Sequence, residues 1–398
     1  MHGSTQNETF GEKTPTGRCK LVLCGNTAWG MLNFRKDLIL ALLRHGHAVT
    51  VLAPPGPESE GLEALGAKFI AIPINSKGKN PLVEAQCALE IHNVLRALRP
   101  AFVFSFTIKS VIYCGIACRL LNITHVPTIT GMGSAFINKS WVTHVAVALY
   151  KIACVRARRV FFLNESDLKF FVESGIVDAN RARVIPGEGI DVQHFAPRPA
   201  DVGNSMRPFR FLYCGRILAE KGFLELIEAT RSLIRSGLVF EMHVVGFADW
   251  DNPSAIRRQQ LDEWVAEGLI VFHGPSSDVR PWIADTDCIV LPSYREGLPR
   301  ILLEAAAMEC PMIASDVPGC REIVRNDRTG YTFAPRSTQS LADCMARVLQ
   351  RPPAEIKQLG INARRMVLNE YSNGIVAQNY LSLFCDPPVT PPLGNLPK

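Results

Sequence analysis

The chain has 398 residues, of which 47% are apolar and 20% charged, with a formal net charge of +6. Length and apolar content suit two domains with sizeable cores and exclude a wholly disordered chain, while 29 Gly and 27 Pro without a short period exclude a collagen-like one. The mildly basic pI near 8.7 fits an anionic small molecule or a membrane surface, and no nucleic-acid partner is expected.

The twelve cysteines stand singly, with no CxxC pair, which reads as reduced thiols of a cytoplasmic protein. Residues 1–20 are polar, and no uninterrupted apolar run approaches the roughly 18 residues of a spanning helix. The mean hydropathy of +0.10 leaves room for a peripheral membrane contact.

Residues 1–18 are expected to be a disordered tail. Cys19–Cys24 then reads as a strand ending at Gly25, Leu32–His45 as a helix stopped by Gly46, and Ala48–Ala53 as a second strand. Phe69–Pro73 is a third strand, Leu82–Leu98 a helix, Ala101–Phe106 a strand and Val111–Leu121 a helix. Val126–Ile129, Val160–Leu163 and Arg183–Ile185 are further strands. This alternation predicts a parallel sheet covered by helices over residues 19–197. A polar, proline-rich linker over 198–208 follows.

The rhythm then restarts for a second α/β domain over 209–370. Its strands are Arg210–Cys214, Phe240–Val245, Leu269–Phe272, Cys288–Leu291 and Pro311–Ala314. Its helices are Lys221–Ser236, Ala255–Glu267, Arg300–Glu309, Thr338–Leu349 and Pro353–Leu368. A helix within 371–385 and a disordered tail over 386–398 end the chain. Two doubly wound sheets facing each other hold two substrates in the cleft between them, which favours a transferase or an isomerase.

Two segments carry the chemistry. In Ser293–Met308, Gly297 permits a tight loop and Pro299 suits a helix start, so loop amides and a helix N-terminus face the cleft. Glu296 and Glu304, eight residues apart, are placed to accept hydrogen bonds from two ends of one ligand. In Tyr213–Phe223, Gly215 is followed by Arg216 and Lys221 where a loop enters a helix, and two cations there offset the charge of a leaving diphosphate.

These segments resemble glycosyltransferase family 4. Glu296–Glu304 is similar to its E-x7-E signature, with Pro318-Gly319, Glu322-Ile323-Val324 and Gly330-Tyr331 as its continuation. Gly215-Arg216 and Lys221-Gly222 resemble its diphosphate clamp, and Pro186–Asp191 with Phe195 its GxGID element, although Glu188 stands where relatives often carry a small polar residue. The resemblance implies the GT-B fold, with the final helix crossing back to the N-terminal domain, and a retaining transfer from a UDP-sugar without an obligate metal or cofactor. It further implies that Glu296 contacts the donor sugar, Glu304 the ribose, and the Gly297 and Leu298 amides phosphate or sugar. Leu269–Gly274 falls where the family holds the nucleotide base.

Gly25–Gly30, Ser105–Lys109, Thr130–Phe136 and Val160–Asn164 resemble a branch that extends sugars on polyprenyl-diphosphate carriers, including N-acetylgalactosaminyltransferases acting on undecaprenyl-diphosphate-linked bacillosamine. That implies a lipid-linked saccharide acceptor at the cytoplasmic face of the inner membrane. Asn33, Arg35, Thr107 and Lys109 are the acceptor-side candidates. Ser105, Thr107 and Thr130-Gly131 occupy the region where many relatives carry a histidine, so no general base is assigned. Trp141–Arg159, apolar and then basic, suits a helix lying on an anionic membrane. Asp285-Thr286-Asp287 and His45-Gly46-His47 are read as structural. A UDP-sugar 2-epimerase, a transferase with a soluble acceptor and a catalytically dead scaffold remain alternatives.

Overall fold

The computed structural model describes residues 17–75, 78, 80–132, 141–197, 207–248, 250, 252 and 254–384. Most of the expected tails and linker, and the segment from Gly133 to Phe136, lie outside the described residues.

The N-terminal domain runs β1 (Lys20–Cys24), α1 (Ala28–Arg44), β2 (Ala48–Ala53), α2 (Ser59–Ala64), β3 (Lys68–Ala71), α3 (Pro81–Leu98), β4 (Phe102–Phe106), α4 (Ile108–Leu121), β5 (Thr124–Ile129), α5 (Trp141–Cys154), β6 (Val160–Phe162), α6 (Glu165–Glu173) and β7 (Ala182–Val184). The C-terminal domain runs β8 (Phe209–Cys214), α7 (Phe223–Arg235), β9 (Phe240–Val245), α8 (Arg258–Ala266), β10 (Val271–Phe272), α9 (Arg280–Ala284), β11 (Cys288–Leu291), α10 (Arg300–Ala307), β12 (Met312–Ser315), β13 (Gly330–Phe333), α11 (Thr338–Leu349) and α12 (Pro353–Glu370). Helix α13 (Asn373–Leu381) closes the chain.

Both sheets are parallel and wound alike, in the orders β3-β2-β1-β4-β5-β6-β7 and β10-β9-β8-β11-β12-β13. Their strands are short apolar runs because helices cover both faces, and β4 and β11 are buried at every residue. The strand order reverses between β1 and β4 and between β8 and β11, and the crevices outside those carboxyl ends are where such sheets bind ligands. Helix α13 returns to the N-terminal domain. Tyr380 is buried among Phe104, Phe106 and Phe161, and its hydroxyl lies 2.9 Å from Thr128 Oγ1.

Several boundaries depart from the periodicity for local reasons. Helix α1 begins at Ala28, four residues before the expected start, because Thr27 accepts from the Gly30 amide as its N-cap. The expected Lys221–Ser236 helix is instead a 3₁₀ turn over Ala219–Lys221 followed by α7, broken at Gly222 with φ +69°. Helix α8 starts at Arg258 rather than Ala255, and β10 keeps two of four expected residues. Helices α2, α6 and α9 and strand β13 are additions; they are short, and too few turns leave no readable period.

The basic end of Trp141–Arg159 is partly folded back onto the protein. Arg158 donates to Leu383 O at 2.9 Å and Arg159 to Asn180 O at 2.6 Å, whereas Lys151 and Arg156 stay exposed. No helix among the described residues is long and apolar enough to cross a membrane.

Candidate active site

A cavity of about 520 Å³ opens between the two sheets at both reversal points. From the N-terminal domain it is lined by Asn26 after β1, Thr107 to Lys109 after β4 and Thr130 to Met132 after β5. From the C-terminal domain it is lined by Arg216, Glu220 and Lys221 after β8, Asn252, and Arg295 to Gly297 after β11.

The cationic side is built by backbone constraint. Tyr213, fully buried on β8, donates its hydroxyl to Arg216 O at 2.6 Å and pins the turn that carries Arg216. At Gly222 a Cβ atom would lie 2.0 Å from Pro292 O, so only glycine lets the Lys221 turn pack against the end of β11. Lys221 Nζ meets Glu296 Oε1 at 2.5 Å, and Ser293 Oγ donates to the same oxygen at 2.6 Å. A Lys–Glu pair only 18% and 14% exposed holds both charges in place ahead of a ligand.

The loop carrying Glu296 is set by the opposite domain. Asn164, fully buried at the N-cap of α6, donates to Gly297 O at 2.8 Å, and buried Asp167 pairs with Arg295 at 2.5 Å. Burial raises the Asp167 pKa, with the Arg295 charge acting in the opposite direction. A Cβ at Gly297 would sit 2.1 Å from Thr130 O, so the two domains meet backbone to backbone here. Behind the loop, Gly319 N donates to Glu322 Oε2 at 2.7 Å, placing the Pro318–Glu322 motif against residues 296 and 297.

Five expected site residues, Glu304, Gly215, Leu298, Asn33 and Arg35, do not line this cavity. Glu304 lies on α10, 9% exposed, with Oε1 accepting from Arg300 Nε at 2.8 Å. Desolvation raises its pKa; Arg300 pulls it down. The expected convergence of Arg216, Lys221, Glu296 and Glu304 on one hollow therefore holds for the first three, because α10 carries Glu304 beyond the cavity wall. Gly215 sits behind the wall, where Gly246 approaches its carbonyl. Leu298 packs between the cores of both domains. Asn33 donates its side-chain amide to Trp29 O, and its backbone carbonyl accepts from Arg300.

The two remaining acceptor-side cations are both engaged. Lys109 borders the cavity, but its ammonium donates to Asn75 O at 2.6 Å, Gly78 O at 2.7 Å and Glu84 at 2.6 Å, which takes up all three donors. It clasps a loop rather than presenting a free charge. Arg35 is 4% exposed and bonded to Glu188. Thr107 adopts φ +73° and ψ 157°, a region costly for a β-branched residue. Nearby, the buried His125 shares a 2.7 Å hydrogen bond with Ser105 Oγ, and burial depresses its pKa to about 3.

Asn26, Glu220, Asn252 and Arg295 line the cavity without having been singled out. Arg295 stood inside the segment read as functional; Asn252 left no signal, since a loop asparagine has no pattern. Asp285 and Asp287 are tied to Arg210 and Arg207 at 2.5 and 2.6 Å, as the structural reading of that triplet expected.

Two facing parallel-sheet domains with a cationic–acidic cavity at their reversal points define a glycosyltransferase of the GT-B class. Residues 30–194 match the family described as Glycosyltransferase Family 4, and residues 208–351 match Glycosyl transferases group 1. The chain belongs to the family 4 glycosyltransferases, as these matches to its two domains show. It is 28% identical over 367 residues to the N,N'-diacetylbacillosaminyl-diphospho-undecaprenol alpha-1,3-N-acetylgalactosaminyltransferase of Campylobacter jejuni, covering 88% of this chain and 94% of that one. It is 22% identical to the UDP-Gal:alpha-D-GlcNAc-diphosphoundecaprenol alpha-1,3-galactosyltransferase of Escherichia coli, covering 80% and 83%. Among solved structures, Anabaena HepE in complex with UDP superposes with a TM-score of 0.74 at 18% identity, covering 92% of this chain and 99% of that one.

Proposed function

We propose that this glycosyltransferase moves an N-acetylated hexose, with retention, from a UDP-sugar to a polyprenyl-diphosphate-linked saccharide in bacterial surface-glycan assembly. The observation that carries this reading is the single cavity in which Arg216, Lys221 and Glu296 face Asn26, Thr107 and Thr130 across the domain gap. The relatives with named lipid-linked acceptors support the acceptor class, and the UDP complex of HepE supports the donor class.

In the unliganded cavity Lys221 and Glu296 neutralise each other. An arriving diphosphate draws Lys221 and Arg216 onto its oxygens, which frees Glu296 to accept hydrogen bonds from donor-sugar hydroxyls. The bond between the sugar C1 and the diphosphate oxygen breaks, and UDP leaves with the electron pair. The acceptor hydroxyl attacks C1 on the same face, and its proton passes to the departing phosphate oxygen. No side chain is needed as general base. Glu304, on α10 and outside the cavity that holds the reacting sugar, is assigned to the ribose hydroxyls at the far end of the donor.

The acceptor's lipid brings the chain to a membrane surface. Leu82 and Leu89 on α3, Leu120 on α4, and Val145, Ile152 and Val155 at α5 are exposed on three neighbouring helices, with Lys151 and Arg156 among them. These exposed apolar and cationic residues support peripheral binding to anionic lipid. The purified chain incubated with a UDP-sugar panel and bacterial lipid extract is expected to yield a lipid-linked oligosaccharide one hexosamine heavier by mass spectrometry. Conversion of a UDP-sugar to its epimer without acceptor would replace the proposal with an epimerase.

A further inference from the structure

A second cavity, of about 340 Å³, adjoins the first and shares Asn26, Thr107 and Thr130 with it. Its wall is aromatic. Trp29, half exposed, meets Phe34 edge to face at 5.0 Å, and Phe106 lies under the Arg35 guanidinium at 4.1 Å. Arg35 Nη2 and Glu188 Oε1, 2.6 Å apart, complete the lining. The other Glu188 oxygen has no protein hydrogen-bond partner among the described residues.

Taking both charges of such a pair out of water costs about as much as their attraction returns, so stability alone does not explain it. Its backbone is nevertheless fixed with care. Gly187 and Gly189 flank Glu188 at φ +70° and +79°. A Cβ on the first would lie 2.2 Å from Leu298 of the donor-side loop, and on the second 2.5 Å from Asn373 of α13. The backbone that carries Glu188 is thereby held between the catalytic loop and the C-terminal helix, with its carboxylate on Arg35.

We propose that this cavity holds the terminal sugar of the acceptor and that Glu188, oriented by Arg35, reads its hydroxyl pattern. A pyranose has an apolar C–H face and a polar rim, which match the indole of Trp29 and the carboxylate–guanidinium pair. The pair is neutral as a unit, so the cavity selects an uncharged sugar over the carrier's diphosphate. Its opening onto Thr107 and Thr130 leaves the sugar's reactive hydroxyl directed toward the donor cavity. A site built to bond hydroxyls rejects sugars that lack them far more strongly than an apolar pocket does.

The inference rests on the glycosyltransferase reading above, and its test separates the two. Initial rates are measured with undecaprenyl-diphosphate-linked N,N'-diacetylbacillosamine and N-acetylglucosamine as acceptor probes, together with calorimetric UDP binding. Trp29→Ala and Glu188→Gln are each expected to raise acceptor KM at least about tenfold while UDP affinity stays within twofold. Glu188→Ser is expected to narrow the preference between the two probes. Saturation-transfer NMR with methyl N-acetyl-α-glucosaminide in the presence of UDP is expected to show sugar contact that Trp29→Ala abolishes. Unchanged acceptor KM, or unchanged saturation transfer, in the folded Trp29→Ala variant overturns the proposal. Failure of the unaltered chain to bind UDP overturns the donor reading instead. Trp29 is exposed, so its variant stays informative even where Glu188→Gln fails to fold.

Discussion

Removing the Lys221 ammonium tests the electrostatic core of the mechanism. Lys221→Ala deletes a charge that sits 2.5 Å from Glu296 in a cavity where both side chains are less than one-fifth exposed. At about 4 Å and an effective dielectric near 20, one unit charge acting on a developing unit charge is worth about 4 kcal/mol. If that interaction is made mainly as the diphosphate departs, kcat falls by about 10³. The turnover assay is UDP release at saturating donor and acceptor, with donor affinity measured separately by calorimetry. Donor affinity is expected to fall much less than kcat, since the charge that Lys221 meets grows as the bond breaks. A Lys221→Ala variant that turns over within tenfold of the unaltered enzyme would refute leaving-group stabilisation by this side chain. A pure rise in KM would reduce Lys221 to a ground-state binder.

Three other outcomes follow from particular residues. Burial raises the Glu304 pKa, so UDP affinity should decline on acidification from a pH above the ordinary carboxylate range, and Glu304→Gln should bind more weakly and flatten that decline in calorimetry. Thr107→Gly should relieve about 1–3 kcal/mol of backbone strain, less about 0.5–1 kcal/mol of added chain entropy, and so raise the urea midpoint while transfer slows; a destabilised variant would argue against stored strain. His125 is neutral in the fold down to about pH 3 but protonates near its ordinary value once unfolded, so the unfolded chain binds the extra proton. Its contribution is complete above the unfolded pKa and is lost as pH falls, at about 1.4 kcal/mol per pH unit; His125→Gln should show a shallower loss of urea stability between pH 6.5 and 5.

Much of this enzyme was legible in one dimension because its strands are buried on both faces. Cys288–Leu291 was marked by an unbroken apolar run, and Ala48–Ala53 and Phe240–Val245 by apolar runs interrupted only at Thr50 and at Glu241 and His243; their spacing gave two parallel sheets and the cleft between them. The loops after β8 and β11 were legible too, through Gly222, whose turn needs a positive φ, and Gly297, which passes too close to Thr130 O for a Cβ. Short helices such as α6 were missed because nine residues make only about two and a half turns, too few to establish a period, and Asp167 reads as a surface charge although it is buried.

What the tertiary structure alone decided was pairing across long stretches of chain. Arg35 with Glu188, Arg295 with Asp167, and Asn164 with Gly297 O join residues more than 120 positions apart. A charge in a sequence carries no sign of its partner, so Lys109 read as a free cation until three acceptors were found around it. Likewise Glu304 read as converging on one hollow with Arg216, Lys221 and Glu296, yet it lies outside the cavity those three line, paired with Arg300. Local sequence determines which backbone each segment adopts, because sterics and burial act within a few residues. Which side chains remain free for substrate depends on contacts that exist only once both domains have folded and met.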